Sequence, residues 1–241
     1  MDPKTGFLLV DKPVNISSHR VVSTLRRVTG LDRIGYSGTL DPFASGLLIV
    51  GIGKDATRKL DNFLPLTKAY EALIILGRTS DTLDPDSAIK DTAPCLADDA
   101  TIEKAMQGLT GHLEQIPPMH SAIKVHGEKL YNLARQGIVI ERKPRAVTVT
   151  EFTLLEPIKR ENGVVELHVR ISCSSGTYIR AIARDLGTAL GTGGYLEALR
   201  RLSVGPFEVS KALNLAELGE KNWEETLLPL EIATIDTPLA S

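Results

Sequence analysis

The chain has 241 residues, of which 42% are apolar, and it carries 28 basic against 30 acidic residues. This apolar content is enough for a full hydrophobic core. No apolar run approaches the roughly 18 residues of a membrane span, and no signal-peptide pattern opens the sequence. The two cysteines, Cys95 and Cys173, form no disulfide framework and match no metal spacing. We therefore expect a soluble protein of the reducing cytoplasm.

The charges are unevenly distributed along the chain, although the net charge is only −2. Residues 1–60 and 121–180 each carry a net charge of +4, whereas residues 61–120 carry −6 and residues 181–241 carry −4. A single basic block is compatible with an ordinary solvated surface. The asymmetry leaves open a polyanion bound on one face.

Apolar spacing predicts the elements of the N-terminal part. Buried strands are predicted at 7–10, 47–50 and 70–76, where apolar residues follow one another without interruption. Between the first two strands, Ser17 can cap a helix with one apolar face, and Gly30 can end it.

The second half of the chain combines helical spacing with one hairpin. An antiparallel hairpin over 147–173 is indicated by two long β-rich runs joined at Asn162-Gly163, a dipeptide that favours tight turns. Two long antiparallel neighbours exclude a purely parallel sheet. The fold class predicted is α+β, with a mixed, largely antiparallel sheet and flanking helices. The helices are predicted at 102–109, 128–136, 177–190 and 196–202.

One acidic residue is surrounded by small residues in the stretch GYSGTLDPFASGLL. Asp41, followed by proline, would ordinarily start a turn. The sequence contains no Walker loop, HExxH or GxSxG motif. Its five histidines have no metal-ligand spacing, and the acidic segment 81–86 lacks the glycine and closing glutamate of a calcium loop. We therefore interpret that segment as an acidic turn and expect no metal and no cofactor.

Six colinear stretches span residues 6 to about 210: FLLVDKPVNISSHRVV, GTLDPFASGLL, KAYEALIILGRTSDTLDPD, IPPMHSAIKVHGEKLYNLARQG, CSSGTYIRAIARDLGTALG and YLEALRRLSVGPF. They resemble the motifs of the TruB-type tRNA pseudouridine synthases. The resemblance implies the pseudouridine synthase fold and an isomerase. Such an enzyme breaks the N1–C1′ bond of the T-loop uridine of tRNA (position 55), turns the base and rejoins it through C5.

Three residues match the catalytic positions of that family. Asp41 matches the catalytic aspartate, which can stabilise or attack the positive charge that develops at C1′, or accept a ribose proton. Arg180 matches the arginine that pairs with this acid and favours its ionised form. Tyr70 matches the aromatic residue that stacks on the target base. Whether Asp41 acts as nucleophile or as base is left open.

The same resemblance implies a set of substrate-binding residues. The segment 115–146 is expected to be an RNA-gripping insertion, since its charge is mostly of one sign, as phosphate contacts require. We expect a single catalytic domain over 1–241, without a separate C-terminal RNA-binding (PUA) module. We also expect tRNA as the binding partner and a monomeric protein. The residues implied to bind substrate are Tyr36, Lys12, Leu199, Lys124, Lys129, Arg135 and Arg142.

Two residues depart from the family pattern. Tyr36 stands where the family usually has histidine, beside the space that the uridine leaves, and a planar tyrosine ring can also stack there. Ser175 stands where lysine is common. Two alternatives stay open: a tRNA-folding chaperone without turnover, and a glycosidase or base-excision enzyme that would release a free base.

Overall fold

A computed structural model describes residues 5–121, 124–125, 128–138, 140–217 and 223–234. The chain forms two compact units. The first comprises Met1–Tyr70 with Leu199–Ser241, and the second comprises Glu71–Ala198. The expectation of one catalytic domain with an insertion at 115–146 stays a prediction.

The elements are numbered in chain order within the described residues. The helices are α1 (Ser18–Thr29), α2 (Lys54–Arg58), α3 (Asp99–Gly108), α4 (Leu130–Arg135) and α5 (Ile179–Ala189). The strands are β1 (Gly6–Lys12), β2 (Ile34–Ser37), β3 (Ser45–Ile52), β4 (Lys68–Leu76), β5 (Arg78–Ser80), β6 (Ile89–Asp91), β7 (Gly111–Gln115), β8 (Lys124–Val125), β9 (Glu128–Lys129), β10 (Arg145–Leu154), β11 (Lys159–Glu161), β12 (Val164–Cys173), β13 (Gly194–Val204), β14 (Phe207–Glu208) and β15 (Leu213–Asn214).

Strand β3 is the centre of the sheet in the first unit. It pairs antiparallel with β1, from Gly6 opposite Ile52 to Lys12 opposite Gly46. It also pairs antiparallel with β2 and parallel with β13. Strand β15 adds a parallel neighbour to β1. The predicted mixed sheet is therefore confirmed.

Both faces of β1 and β3 are covered, which explains their uninterrupted apolar sequences. One face packs into a cluster around Phe63, and the other packs against helix α1. Ser17 caps this helix by accepting a hydrogen bond from the Arg20 amide at 3.1 Å, and Gly30 ends it in a left-handed conformation. Both ends of the helix lie where the sequence predicts them.

The second unit contains an antiparallel arrangement of β7, β10 and β12. Strand β10 pairs with β12 in the predicted hairpin. The short strand β11 lies between them in sequence and pairs with the beginning of β12, so that the turn at Asn162-Gly163 joins β11 to β12. Both turn residues have positive φ, 50° and 80°, as the tightest hairpin turns require.

Two predicted helices differ from the structure. The helix expected at 128–136 begins only at Leu130, after strand β9. The helix expected at 196–202 is wrong, because this segment belongs to strand β13. Leucines at every third position imitate a helical face there. A strand is normally recognised by apolar residues at every second position. Here one of the buried positions is occupied by an arginine, Arg201, which is only 2% exposed, so this alternation cannot be seen in the sequence.

Among the described residues, no helix combines the length and apolar character needed to cross a membrane.

Gly46 provides a test of the β3–β13 junction. Its φ is +103°, and a Cβ atom there would overlap the Arg201 carbonyl oxygen and lie 2.6 Å from the Arg201 amide nitrogen. We expect Gly46→Ala to lower the free energy of unfolding by about 3 kcal/mol or more, because positive φ and steric overlap add. Denaturant unfolding followed by circular dichroism measures this change.

The matched control is Gly30→Ala. Gly30 also has positive φ, +71°, but nothing lies within 4 Å of the position that an alanine methyl group would occupy. This substitution should cost about 1 kcal/mol. Equal losses for both variants would show that the close approach at Gly46 contributes nothing.

Candidate active site

Asp41 lies in the loop between β2 and β3, and the beginning of α1 holds this loop in place. The Ser18 hydroxyl donates to the Leu40 carbonyl and accepts from the Leu40 amide, both at 2.9 Å. The Asn15 amide donates to the Pro42 carbonyl at 2.8 Å. Because the residues on both sides of Asp41 are anchored, its position is fixed before any substrate binds.

Lys12 is fully buried beneath the same loop. Its Nζ donates to the carbonyl oxygens of Pro13 at 2.9 Å, Ile16 at 2.7 Å and Pro42 at 3.4 Å. Burial lowers the pKa of Lys12 to about 8, while the nearby Asp41 carboxylate acts in the opposite direction and raises it. The structure thus brings together the Lys12 ammonium and the Asp41 carboxylate, two residues that the sequence selects separately.

Arg201 is a component of this site that the sequence analysis missed. Its Nε donates to the Leu47 carbonyl at 2.7 Å, and its Nη2 donates to the Gly38 carbonyl at 2.9 Å. Burial lowers the pKa of this guanidinium, and a side-chain hydrogen bond with Tyr70 opposes the shift. No local signal in the sequence identifies it, because arginine is ordinarily exposed and the segment around it has the apolar spacing of a helix.

The remaining candidates of the first unit are Tyr70, Tyr36 and Leu199. Tyr70 is buried near the start of β4, and its hydroxyl is bound by Arg201. Tyr36 lies on β2 opposite Val50, and its partly buried ring packs against the cluster around α1. Leu199 is buried in β13. Arg201 therefore connects the loop that carries Asp41 to Tyr70.

Arg180 lies in the first turn of α5, in the second unit. It is 6% exposed, and its Nη1 forms a 3.0 Å ion pair with Asp84. The same Nη1 donates to the Thr82 carbonyl at 2.8 Å, and Nη2 donates to the His120 carbonyl at 2.7 Å. The expected pairing of Arg180 with Asp41 stays a prediction.

Asp84 is the second residue that the sequence analysis missed. It belongs to the segment interpreted as an acidic turn, and this turn buries it to 2% exposure. Its second oxygen, Oδ1, accepts from the Thr82 hydroxyl at 2.5 Å and the Asp86 amide at 3.0 Å. Both oxygens of Asp84 therefore have partners, and the carboxylate holds Arg180 in one orientation.

Of the predicted RNA-contact residues in the insertion, Arg142 has a described side chain. Its Nη1 donates to the Pro117 carbonyl at 3.1 Å. Burial, and then the positive charge of Arg184, lower its pKa. Its Nε is buried without a hydrogen-bond partner among the described residues. The side chains of Lys124, Lys129 and Arg135 lie outside the described part of the structure.

Comparison with protein families gives two adjoining matches. Residues 26–179 match the model for the N-terminal domain of TruB family pseudouridylate synthases. Residues 180–239 match the model for the C-terminal domain of tRNA pseudouridylate synthase B. The chain belongs to the TruB family. The predicted family and its isomerase class are confirmed.

Curated TruB relatives resemble most of the chain. A protein of Thermobifida fusca named tRNA pseudouridine synthase B is 46% identical over 230 residues, which cover 93% of this chain and 77% of the relative. A protein of Corynebacterium efficiens with the same name is 47% identical over 217 residues, which cover 90% of this chain and 72% of the relative.

A solved structure confirms the pseudouridine synthase fold of this TruB family member. The crystal structure of a Cbf5-Nop10-Gar1 complex contains a chain with a TM-score of 0.71 and 28% identity. The match covers 95% of the present chain and 61% of that chain, so the present chain spans about three fifths of its length.

The Asp84–Arg180 pair leads to a test of the second unit. Asp84→Asn keeps the shape of the side chain but removes the charge that compensates the buried guanidinium. We expect the free energy of unfolding to fall by about 2 kcal/mol or more, and pseudouridine formation to slow because Arg180 loses its orientation. Denaturant unfolding and single-turnover kinetics on a T-arm hairpin measure the two effects.

Asp81→Asn is the control from the same turn. Asp81 forms an exposed ion pair with Lys90, so its loss should change the free energy of unfolding by less than about 1 kcal/mol. If Asp84→Asn behaved like Asp81→Asn, the buried pair would have no role in stability or in catalysis.

Proposed function

We propose that this TruB family chain converts the T-loop uridine at position 55 of tRNA to pseudouridine, with Asp41 as its catalytic carboxylate. The N1–C1′ bond breaks, the base turns, and a C5–C1′ bond forms. The proton on C5 is released, and N1 gains one, so that substrate and product have the same mass. The observation that best supports the proposal is the anchored Asp41 loop, with the Lys12 ammonium close to the carboxylate.

The chemistry requires a carboxylate that is ionised and already in place. Breaking the glycosidic bond builds positive charge at C1′, and a fixed anion stabilises that charge without reorganisation during the reaction. The hydrogen bonds at Leu40 and Pro42 hold the backbone on both sides of Asp41. The arrangement supports either role, attack on C1′ or acceptance of a ribose proton.

Tyr70 and Arg180 complete the proposed catalytic set. Tyr70 offers a ring for stacking on the target base, and its hydrogen bond with Arg201 restrains the ring. Arg180 offers a buried guanidinium that is held in a fixed orientation by Asp84. Its pairing with Asp41 remains a proposal carried over from the family pattern.

Several further properties are also proposals. The insertion at 115–146 grips the RNA. The enzyme acts as a monomer in the cytoplasm, where its two buried cysteines, Cys95 and Cys173, stay reduced. The replacement of the usual histidine by Tyr36 is the observation that favours the alternative function, a tRNA chaperone with weak or no turnover.

The decisive variant is Asp41→Asn. The amide keeps the shape of the side chain but supplies neither the charge nor a proton acceptor, so turnover should fall by about 10³-fold or more while RNA binding persists. Release of tritium from a T-arm hairpin labelled at uridine C5 measures the reaction, and mass spectrometry shows whether the RNA keeps its mass.

The control is Asp61→Asn, a change of an exposed acid in the same unit, which should turn over like the unmodified chain. Full activity of Asp41→Asn would refute the assignment. An inactive unmodified chain that still binds tRNA would favour the chaperone. Release of free uracil would favour a hydrolase.

We propose that Tyr36 acts through its planar ring, which fills the space that the extracted base leaves. Removing a base from a folded loop costs a few kcal/mol of stacking, which a planar ring entering the vacancy can offset. We therefore expect Tyr36→Phe and Tyr36→His to stay close to the unmodified chain, and Tyr36→Ala to weaken productive binding. Single-turnover kinetics on a folded T-loop and on an unstructured strand of the same sequence provide the measurement.

The unstructured strand is the internal control, because its uridine needs no extraction. Tyr36→Ala should therefore lose much less on this strand than on the folded loop. An equal loss for Tyr36→Phe and Tyr36→Ala would mean that the hydroxyl, not the ring, is required.

A further inference from the structure

Exposed basic side chains line one part of the first unit, on α1, on the turn after it and on α2. We name this set the α1–α2 basic strip. All five of its members are exposed. They are Arg20, Arg27, Arg33, Lys54 and Arg58.

The strip is continuous because its elements contact one another. Arg20 and Arg27 are seven residues apart on α1, so they lie on the same helix face about 10 Å from each other. The Arg26 guanidinium binds the carbonyls of Asp32 and Ile34, which brings the segment around Arg33 against the end of α1.

The strip then continues to α2. The amide of Gly53, the residue before α2, donates to the Arg33 carbonyl at 2.7 Å. Lys54 and Arg58 are the first and last residues of α2, which begins directly after Gly53. Two exposed acids, Asp32 and Asp55, lie among these residues, so the strip keeps an excess of positive charge.

The three arginines of the strip also differ from several exposed cations of the second unit, because no acid pairs with them among the described residues. Within the residues that the structure describes, no ion pair or hydrogen bond involves the guanidinium of Arg20, Arg27 or Arg33. Several exposed cations of the second unit are instead paired with acids. Examples are Arg78 with Asp91, Lys90 with Asp81, Arg160 with Asp99 and Arg170 with Glu151.

We propose that the α1–α2 basic strip binds the phosphate backbone of the tRNA stem beyond the loop that holds the target uridine. The inference rests on the proposed function, which supplies the polyanion. Unpaired, exposed arginines complement phosphates, because binding releases counterions and breaks no internal ion pair.

The position of α1 determines which part of the RNA is reached. The helix begins at Ser18, whose hydroxyl binds Leu40 next to Asp41. Arg27 is nine residues farther along, about 13 Å from Ser18 along the helix axis. In the proposed complex the RNA strand runs along α1 from the target uridine into the stem. A stacked strand advances about 3 Å per nucleotide, so the phosphate at Arg27 then lies about four nucleotides from that uridine. Arg27 and the members of the strip beyond it therefore contact the stem.

The test compares two variants with identical changes in net charge. The first is the strip variant, Arg20→Gln/Arg27→Gln/Arg33→Gln. We expect its affinity for a hairpin with the complete T-arm stem to fall at least about tenfold near 0.15 M salt. The slope of log K against log salt should become less negative by about 2, since each lost phosphate contact removes about 0.7–0.9 from its magnitude.

The second variant, Arg78→Gln/Lys90→Gln/Arg170→Gln, removes three paired cations of the second unit and should bind as the unmodified chain does. A second RNA keeps the loop but has its stem cut to two base pairs. The second variant should bind this RNA like the unmodified chain. The strip variant should lose much less affinity for it than for the complete hairpin, because the stem phosphates opposite Arg27 and Arg33 are missing.

Each other result overturns the proposal. Equal losses for the two triple variants would reduce the effect to overall charge. Equal losses of the strip variant on both hairpins would place its contacts at the loop, and an unchanged salt slope would mean that no phosphates are bound. Circular dichroism confirms folding, and Arg27→Glu, a single exposed change, replaces the strip variant if that variant does not fold.

Failure of the strip is distinguishable from failure of the proposed function. Pseudouridine formation by the unmodified chain is measured on the complete hairpin. Product formation with unaltered binding by the strip variant would overturn only the strip. Absence of product would overturn the proposed function itself.

Discussion

The buried guanidinium of Arg201 is the interaction on which the geometry of the first unit depends. It binds the carbonyl of Leu47 in β3, the carbonyl of Gly38 before the Asp41 loop, and the side chain of Tyr70. Three segments that are distant in sequence from Arg201 thus share one rigid, planar donor. Arg201 is buried, and in a buried site the loss of any of these acceptors would leave a donor unsatisfied. Through Arg201, the position of the Tyr70 side chain is therefore linked to that of the loop that carries Asp41.

The two units compensate their buried cations in different ways. Arg180 faces a carboxylate, Asp84, and the charges of this pair balance. Lys12 and Arg201 donate mainly to neutral oxygens: three carbonyls for Lys12, and two carbonyls and the Tyr70 side chain for Arg201. The dipoles of carbonyl and hydroxyl groups orient the cations of Lys12 and Arg201 but do not neutralise their charges. An uncancelled positive charge beneath the loop attracts the Asp41 carboxylate, which suits a residue that must stay an anion while positive charge develops on its substrate.

Local signals in the sequence predict the first unit well. The uninterrupted runs of β1 and β3, the cap at Ser17 and the stop at Gly30 depend on short-range chemistry, and each is found where it is predicted. The same holds for the Asn162-Gly163 turn. Arg201 and Asp84 depend instead on partners that are distant in sequence or hidden in a turn. Charged residues are usually exposed, so the sequence alone gives no sign that Arg201 and Asp84 are buried. Strand β13 is therefore predicted as a helix, and Asp84 as part of an acidic turn.

The arrangement at Lys12 has a thermodynamic cost that varies with pH. Its pKa of about 8 in the folded chain lies below the ordinary value of 10.5. Between these two values the unfolded chain binds more protons than the folded one, so the contribution of Lys12 to the free energy of unfolding rises as the pH increases through this range. Near neutral pH, where the ammonium is charged, the fold gives up about 3 kcal/mol to keep that charge away from water. The positive charge beneath Asp41 is therefore maintained at the expense of the free energy of unfolding.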